Sequence, residues 1–269
     1  MTTVEKPFDP RAYWEKRLSE KWGLHGVGHI SYGKPYNEWL YRVRRRVFLR
    51  QVGKLPLNLQ NVSVLDVGSG TGFWLKMWKS VGVRNVVGSD LTAVAVKNLQ
   101  KEYPETEIRE LDITDPKSIQ GLEGRFDLVS AFDVLFHITE DVRFKTAIAN
   151  VASLLRPGGF FLFSDCLMHR RRRSAVHEVD RTLGDYTFEL SANGLEARAR
   201  VPVFVLMNTP IDTRGETPER LWRVLMGPVR LFHPLGYLYG ALLYPFELAL
   251  TTLLPGGPTT EMMICRRRR

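Results

Sequence analysis

Residues 64–72 read Val64-Leu65-Asp66-Val67-Gly68-Ser69-Gly70-Thr71-Gly72, and the fold turns on how this stretch is read. A short apolar run of this kind predicts a buried strand, and the glycines that follow predict a tight turn. Beyond them Phe73, Met77, Trp78 and Val81 recur on one face of a helix. Strand, glycine turn and helix in that order make a nucleotide-type cradle. The glycines let backbone pass close beneath a ligand, and the helix N-terminus offers free N–H groups. A dinucleotide fingerprint would place its third glycine one residue later, so Gly68, Gly70 and Gly72, with Asp66 two residues ahead of them, favour a different ligand.

Outward from this cradle, short apolar runs alternate with helical periodicity, which predicts repeated βα units and a mostly parallel sheet. Strands are expected at 63–67, 85–90, 107–112, 126–132 and 160–165, then at 201–207 and 261–266. The second strand ends at Asp90, followed by Leu91, about twenty residues past the loop, where a carboxylate can accept both hydroxyls of a ribose. Asp112 ends the third, placed to accept an adenine amino proton while Ile113 packs the ring. The fourth runs into Phe132-Asp133-Val134-Leu135-Phe136-His137, and the helix after it closes on Leu155-Arg156-Pro157-Gly158-Gly159. Asp127 starts its strand, away from the ligand edge, and is read as structural.

These stations, in this order, resemble the class I S-adenosylmethionine-dependent methyltransferases of the small-molecule type. The resemblance is strong over 61–165, weak at the Tyr13-Trp14 helix and the final strand, and absent over about 208–260. It implies an α/β fold with a Rossmann-like seven-stranded sheet, mostly parallel, the last strand antiparallel and inserted beside its predecessor. It also implies S-adenosylmethionine as cofactor. Asp66 and the loop glycines Gly68, Gly70 and Gly72 would hold the methionine part, with Asp90 and Leu91 at the ribose and Asp112 and Ile113 at the adenine. Phe132 would line the sulfonium side. Tyr13, on a helix that often folds over the cofactor in such enzymes, is placed to bond its carboxylate.

Methyl transfer is an in-line displacement in which a protein contributes mainly alignment and exclusion of water. A hydroxyl acceptor must also lose a proton, for which a histidine is the usual group near neutral pH. His137, after the fourth strand, is the first choice of base and Asp133 the second. His25 and His29 are further candidates in the glycine-punctuated stretch 22–36, which reads as a mobile loop or lid between helices at 11–21 and 37–52.

Bulk composition sets the frame. A chain of 269 residues, 44% hydrophobic and 25% charged, suits one enlarged enzyme-sized domain. The expected division is a helical cap over 1–60 and a catalytic domain over 61–269, carrying an insertion at about 208–260. Cys166 and Cys265 have no metal-like spacing, which predicts a reducing compartment and no metal site. No apolar leader is readable in 1–11, so the location expected is cytoplasmic. The net charge of +9 is concentrated in Arg42 with Arg44–Arg46, Arg170–Arg173 and Arg266–Arg269. These runs suit a solvated surface or an anionic partner, and no nucleic-acid reader module accompanies them.

The segment 221–254 is unusually apolar, but Pro234, Pro245, His233 and Glu247 interrupt it and argue against a membrane span. It reads as a buried helical cap or dimer contact, or else as a cover for a hydrophobic acceptor or a peripheral membrane surface helped by Arg220, Arg223 and Arg230. The function expected is methylation of a small-molecule acceptor, at oxygen, on a lipophilic or lipid-linked compound. The alternative is a non-catalytic cofactor-binding protein that uses its apolar insertion to engage a partner or membrane. The oligomeric state stays open.

Overall fold

The computed structural model describes residues 8–269, without the side chains of residues 25, 173 and 174. The absence of a leader over 1–7 therefore lies outside the described residues. Asp9 caps the first helix, α1 (Pro10–Glu20), by accepting the Ala12 N–H. A short α2 (Leu24–Val27) and a long α3 (Gly33–Val52) follow. The glycine-punctuated stretch between α1 and α3 is tied down rather than loose. Arg17 donates to the carbonyls of Gly26 (2.7 Å) and Gly28 (3.0 Å), and the Asn37 amide donates to those of His29 and Gly33. Its glycines serve close packing, so their composition misleads as a sign of mobility.

The alternating units then appear as β1 (Ser63–Val67), α4 (Phe73–Ser80), β2 (Asn85–Asp90), α5 (Ala93–Glu102), β3 (Glu107–Glu110), β4 (Phe126–Phe132), α6 (Asp141–Leu154) and β5 (Leu155–Cys166). A small hairpin, β6 (Arg172–Ala175) with β7 (Glu178–Asp180), precedes α7 (Leu183–Ala192) and β8 (Leu195–Pro202). Three helices, α8 (Thr217–Leu225), α9 (Gly227–Leu231) and α10 (Leu235–Leu253), come before the last strand, β9 (Thr260–Arg267).

The main sheet has seven strands in the order β3-β2-β1-β4-β5-β9-β8. The pairs among β1 to β5 are parallel, and β9 lies antiparallel between β5 and β8. Alternate residues of β4 serve opposite layers: Leu128 and Phe132 pack with α3 and α4, Val129 and Ala131 with α6 and α7. The helix α3 thus belongs to the sheet's own helical layer, with Val43, Val47 and Phe48 fully buried, and is not a detachable cap.

Three boundaries differ from expectation. The third strand stops at Glu110, so Asp112 stands in the turn beyond it. The pattern of residues 179–191 predicts a single helix, whereas the structure has the strand β7 followed by α7, whose start is fixed by a capping box between Thr182 and Asp185. The apolar run 201–207 is only in part a strand. β8 ends at Pro202, the N–H groups of Val203 and Phe204 still donate to the Thr260 carbonyl of β9, and the chain leaves the sheet from Val205 onward. It does so because Glu247, from α10, accepts the N–H groups of Val205, Leu206 and Met207 at 2.5, 2.7 and 3.0 Å.

Candidate active site

The turn after β1 is built on positive φ angles: 70° at Gly68, 54° at Gly70 and 82° at Gly72. A Cβ at Gly68 would fall 2.5 Å from Cγ2 of Val134, so the loop and the turn after β4 press together without room for a side chain. Asp66 lies beneath the loop, 1% exposed, and accepts from the hydroxyls of Ser69 (2.9 Å) and Ser130 (2.6 Å). Ser130 is fixed in turn by the indole N–H of Trp78 at 3.0 Å. Burial pushes the Asp66 carboxyl up to about 7, against the pull of the two hydroxyls.

Asp90 ties the second strand to the loop. One of its oxygens accepts the Gly70 N–H at 2.9 Å, and the other accepts the Thr92 N–H (3.0 Å) and hydroxyl (2.7 Å). Asp112 is held by the Thr114 hydroxyl (2.6 Å) and by Arg143 (2.9 Å), while the Asn150 amide holds the Ile113 carbonyl.

These groups open onto a cavity of about 710 Å³, within the 300–1,000 Å³ usual for small-molecule sites. Gly68, Gly70, Asp90, Leu91, Asp112, Ile113, Phe132, Asp133 and His137 all line it. Asp66 and Gly72 do not: Asp66 supports the loop from below, and Gly72 faces Leu99 and Tyr103. The lining also includes Thr71, whose hydroxyl is buried with no hydrogen-bond partner among the described residues. A buried hydroxyl without a partner facing a cradle of backbone N–H groups fits a polar ligand such as an amino-acid portion.

At the end of β4 Asp133 adopts φ 58°, the one positive value outside glycine among the described residues. Its carboxylate takes Arg44 at 2.7 and 3.0 Å on one oxygen and the Ser164 hydroxyl at 2.8 Å on the other. Both carboxylate oxygens are thereby engaged in hydrogen bonds within the protein. His137 is half-buried against Trp14 of α1, ring centroids 4.8 Å apart, with its Nδ1 3.0 Å from the His177 carbonyl. A carbonyl only accepts, so Nδ1 carries the proton and Nε2 keeps its lone pair. Burial pulls this ring down to about 4, so it is neutral at pH 7.

His29 has the same character. Asn208 Oδ1 accepts the Thr209 N–H and faces Nε2 of His29 at 3.0 Å, so that nitrogen is the donor. Burial and the nearby Arg44 lower His29 to about 4. The side chain of His25 lies outside the described residues. Tyr13 stacks on His177 at 4.7 Å and accepts from Arg17, and it is absent from the cavity wall. His137, His177 and Glu178 can bring one ligand atom each within 4.8 Å of one another, looser than the about 3.3 Å between donors on a tetrahedral zinc.

Sequence reasoning missed Arg44, Asn208 and the far wall, where Arg172 meets Glu219 at 3.1 Å beside Arg223 and Arg230. Spacing alone does not single out Arg44: it stands three residues after Tyr41 and four before Phe48, but Arg45 stands four after and three before, and only the packing of α3 shows which of the two turns inward.

Residues 64–159 match a family model described as a methyltransferase domain. Over these residues the chain carries a methyltransferase domain, and its fold is shared with class I S-adenosylmethionine-dependent methyltransferases. It is 29% identical over 123 residues to a ribosomal protein L11 methyltransferase of Halalkalibacterium halodurans, covering 45% of this chain and 37% of that protein. It is 24% identical over 177 residues to EEF1A lysine methyltransferase 2 of Danio rerio, covering 58% and 68%. In fold, the chain superposes on magnesium protoporphyrin IX methyltransferase of Synechocystis, solved with S-adenosylmethionine bound, with a TM-score of 0.57 at 14% identity over 98% of this chain and all of the other. Among the described residues, no helix is long and apolar enough to cross a membrane.

Proposed function

We propose that the protein transfers a methyl group from S-adenosylmethionine to oxygen of a small lipophilic or lipid-linked acceptor, in the cytoplasm or at a membrane facing it. The observation that carries this reading is the construction of the cavity. One side is the glycine loop with Asp90 and Asp112, and the other is closed by Thr209, Ile211, Arg223 and Arg230 of the insertion. The relatives named for protein acceptors match this chain over 45% and 58% of its length, which leaves room for an acceptor of another kind here.

When bound, S-adenosylmethionine supplies an electrophilic methyl group on a sulfonium. Gly68, Gly70 and Thr71 receive its amino-acid part, with Asp66 keeping the loop in shape from below. Asp90 and Leu91 hold the ribose, Asp112 and Ile113 the adenine, and Phe132 closes the sulfonium side. The α1 cap, through Trp14 and Arg17, keeps water from the reacting end. His137 takes the acceptor proton at Nε2, its ring aimed by the His177 carbonyl. Asp133 keeps Arg44 in place rather than acting as base. The His29–Asn208 pair offers a second oriented neutral imidazole on the acceptor side, and so a second choice of base.

The test is transfer of radiolabelled methyl into a host-cell extract, partitioned between organic solvent, water and precipitated macromolecule, with Asp90→Ala as control. Label in the organic phase that disappears in the control supports the reading. Label in the precipitate would point to a protein acceptor, and cofactor binding without transfer to a non-catalytic binder. With the acceptor in hand, His137→Ala lowers kcat by about 10²–10⁴ at unchanged cofactor affinity, and a normal kcat would move the role to His29.

A further inference from the structure

The helix α10 has two unlike faces. Its inner face meets α3 so closely that a Cβ at Gly240 would fall 2.1 Å from the Trp39 ring, and one at Gly236 would fall 2.7 Å from the Tyr36 backbone nitrogen. Glu247, the one charged residue of the helix, is on this side and fully buried. The outer face presents Leu238, Leu242, Phe246 and Leu253, each 54–78% exposed and in register at helical spacing, with Tyr237 beside them. A surface helix of 19 residues, roughly 28 Å long, thus shows water no charge at all. The apolar surface continues over α8 and α9, where Val224 is 75%, Leu231 91% and Phe232 59% exposed. A continuous patch of this kind marks an interaction surface.

Its rim is basic. Arg220 and Arg223 pair with Glu216 and Glu219 of their own helix. Arg230, with Arg42, Arg45 and Arg46 on the neighbouring α3, is exposed and has no ion-pair partner among the described residues. An apolar face fringed by unpaired arginines is the arrangement of a helix that lies in a membrane interface. A second copy of the chain is a poorer occupant, because a two-fold contact across this face would set the arginine rim against itself. Arg223 and Arg230 belong both to this rim and to the cavity wall, so the mouth of the cavity opens at the edge of the apolar face.

We propose that α8–α10 form a monotopic docking surface for an anionic membrane, which brings the cavity mouth to the lipid interface. This surface is independent of the proton acceptor and of the atom methylated. Its failure is therefore distinguishable from failure of the proposed reaction.

The experiment is flotation of the full chain with vesicles of phosphatidylcholine alone or with about 30% phosphatidylglycerol, at low and high salt. The wild type floats with the anionic vesicles at least tenfold more strongly than with neutral ones, and salt weakens it. Replacing Arg42, Arg45 and Arg46 by Gln removes about fivefold per residue, so roughly 100-fold together. Leu242→Asp with Phe246→Asp abolishes flotation while calorimetric affinity for S-adenosylmethionine stays unchanged, which shows that the variant is folded. Equal binding to both vesicle types, or undiminished flotation of that double variant, would overturn the proposal. So would a concentration-dependent dimer in sedimentation velocity, lost in the double variant, without vesicle binding.

Discussion

Replacing Asp66 by Asn tests whether the acid at the head of the glycine loop is a structural carboxyl held close to neutrality. In the folded protein its pKa is about 7, against 3.8 for an unperturbed aspartate, because burial outweighs the hydroxyls of Ser69 and Ser130. Below about pH 4 both states hold the proton, and the residue contributes fully to stability. As pH rises towards 7 the unfolded chain gives the proton up while the folded chain keeps it, so stability is lost. Above pH 7 the loss levels off. About three units at 1.36 kcal/mol each set the full cost at about 4 kcal/mol, of which about 2–3 kcal/mol accrues between pH 5 and pH 8. Asn keeps the shape and can accept from one serine and donate to the other, but does not titrate. Burial also raises Asp90, Asp165, Glu247 and Glu261, but these are common to both proteins and cancel in the difference. Urea unfolding of the two proteins at pH 5, 6, 7 and 8 is the assay. The stability of the variant relative to the wild type rises by about 2–3 kcal/mol across that range, close to 1 M in midpoint for an m-value of about 3 kcal/mol/M. A difference that stays flat with pH would refute the argument, since the carboxylate would then be no less comfortable folded than unfolded.

Two further substitutions probe the site. Gly68→Ala must hold φ 70° and place a methyl against Val134, so affinity for S-adenosylmethionine falls about tenfold or more by calorimetry, and Val134→Ala in the same chain restores part of it. Arg44→Met leaves the Asp133 carboxylate with Ser164 alone and costs about 3 kcal/mol in urea unfolding, most of which returns when Asp133→Asn is added, because Asn also tolerates a left-handed backbone.

Much of this architecture was legible because a strand covered on both faces shows itself as a short run rich in apolar residues. β1, β2 and β4 have the bounds that the sequence suggests, and the loop residues follow from them. What the sequence conceals is contact between distant segments. The run 201–207 looks like a strand because Val203, Phe204 and Met207 are buried, yet burial alone does not say who accepts a backbone proton. The stretch 22–36 looks loose because its glycines are visible, whereas the Arg17 and Asn37 hydrogen bonds that fix it are not. Asn208 orients His29 across 179 residues of chain, and no local pattern marks such a pair.

Those same distant contacts bear on how the insertion acts. Segment 205–208 has left the sheet, so its backbone groups need other partners, and three helices supply them. Glu247 of α10 accepts from three of its N–H groups, the Tyr36 hydroxyl of α3 donates to the Met207 carbonyl at 2.8 Å, and the Trp222 indole of α8 donates to the Leu206 carbonyl at 2.8 Å. The next residue, Asn208, holds His29 at the cavity wall. A shift of α8 or α10 therefore cannot occur without disturbing hydrogen bonds that lead, within one residue, to an imidazole in the cavity wall. An insertion attached as a mere cover would not need a carboxylate buried at its centre, since burying that charge costs several kcal/mol unless hydrogen bonds offset it. Glu247 is placed where three backbone donors do so, which makes the apolar face and this wall of the cavity parts of one packed unit.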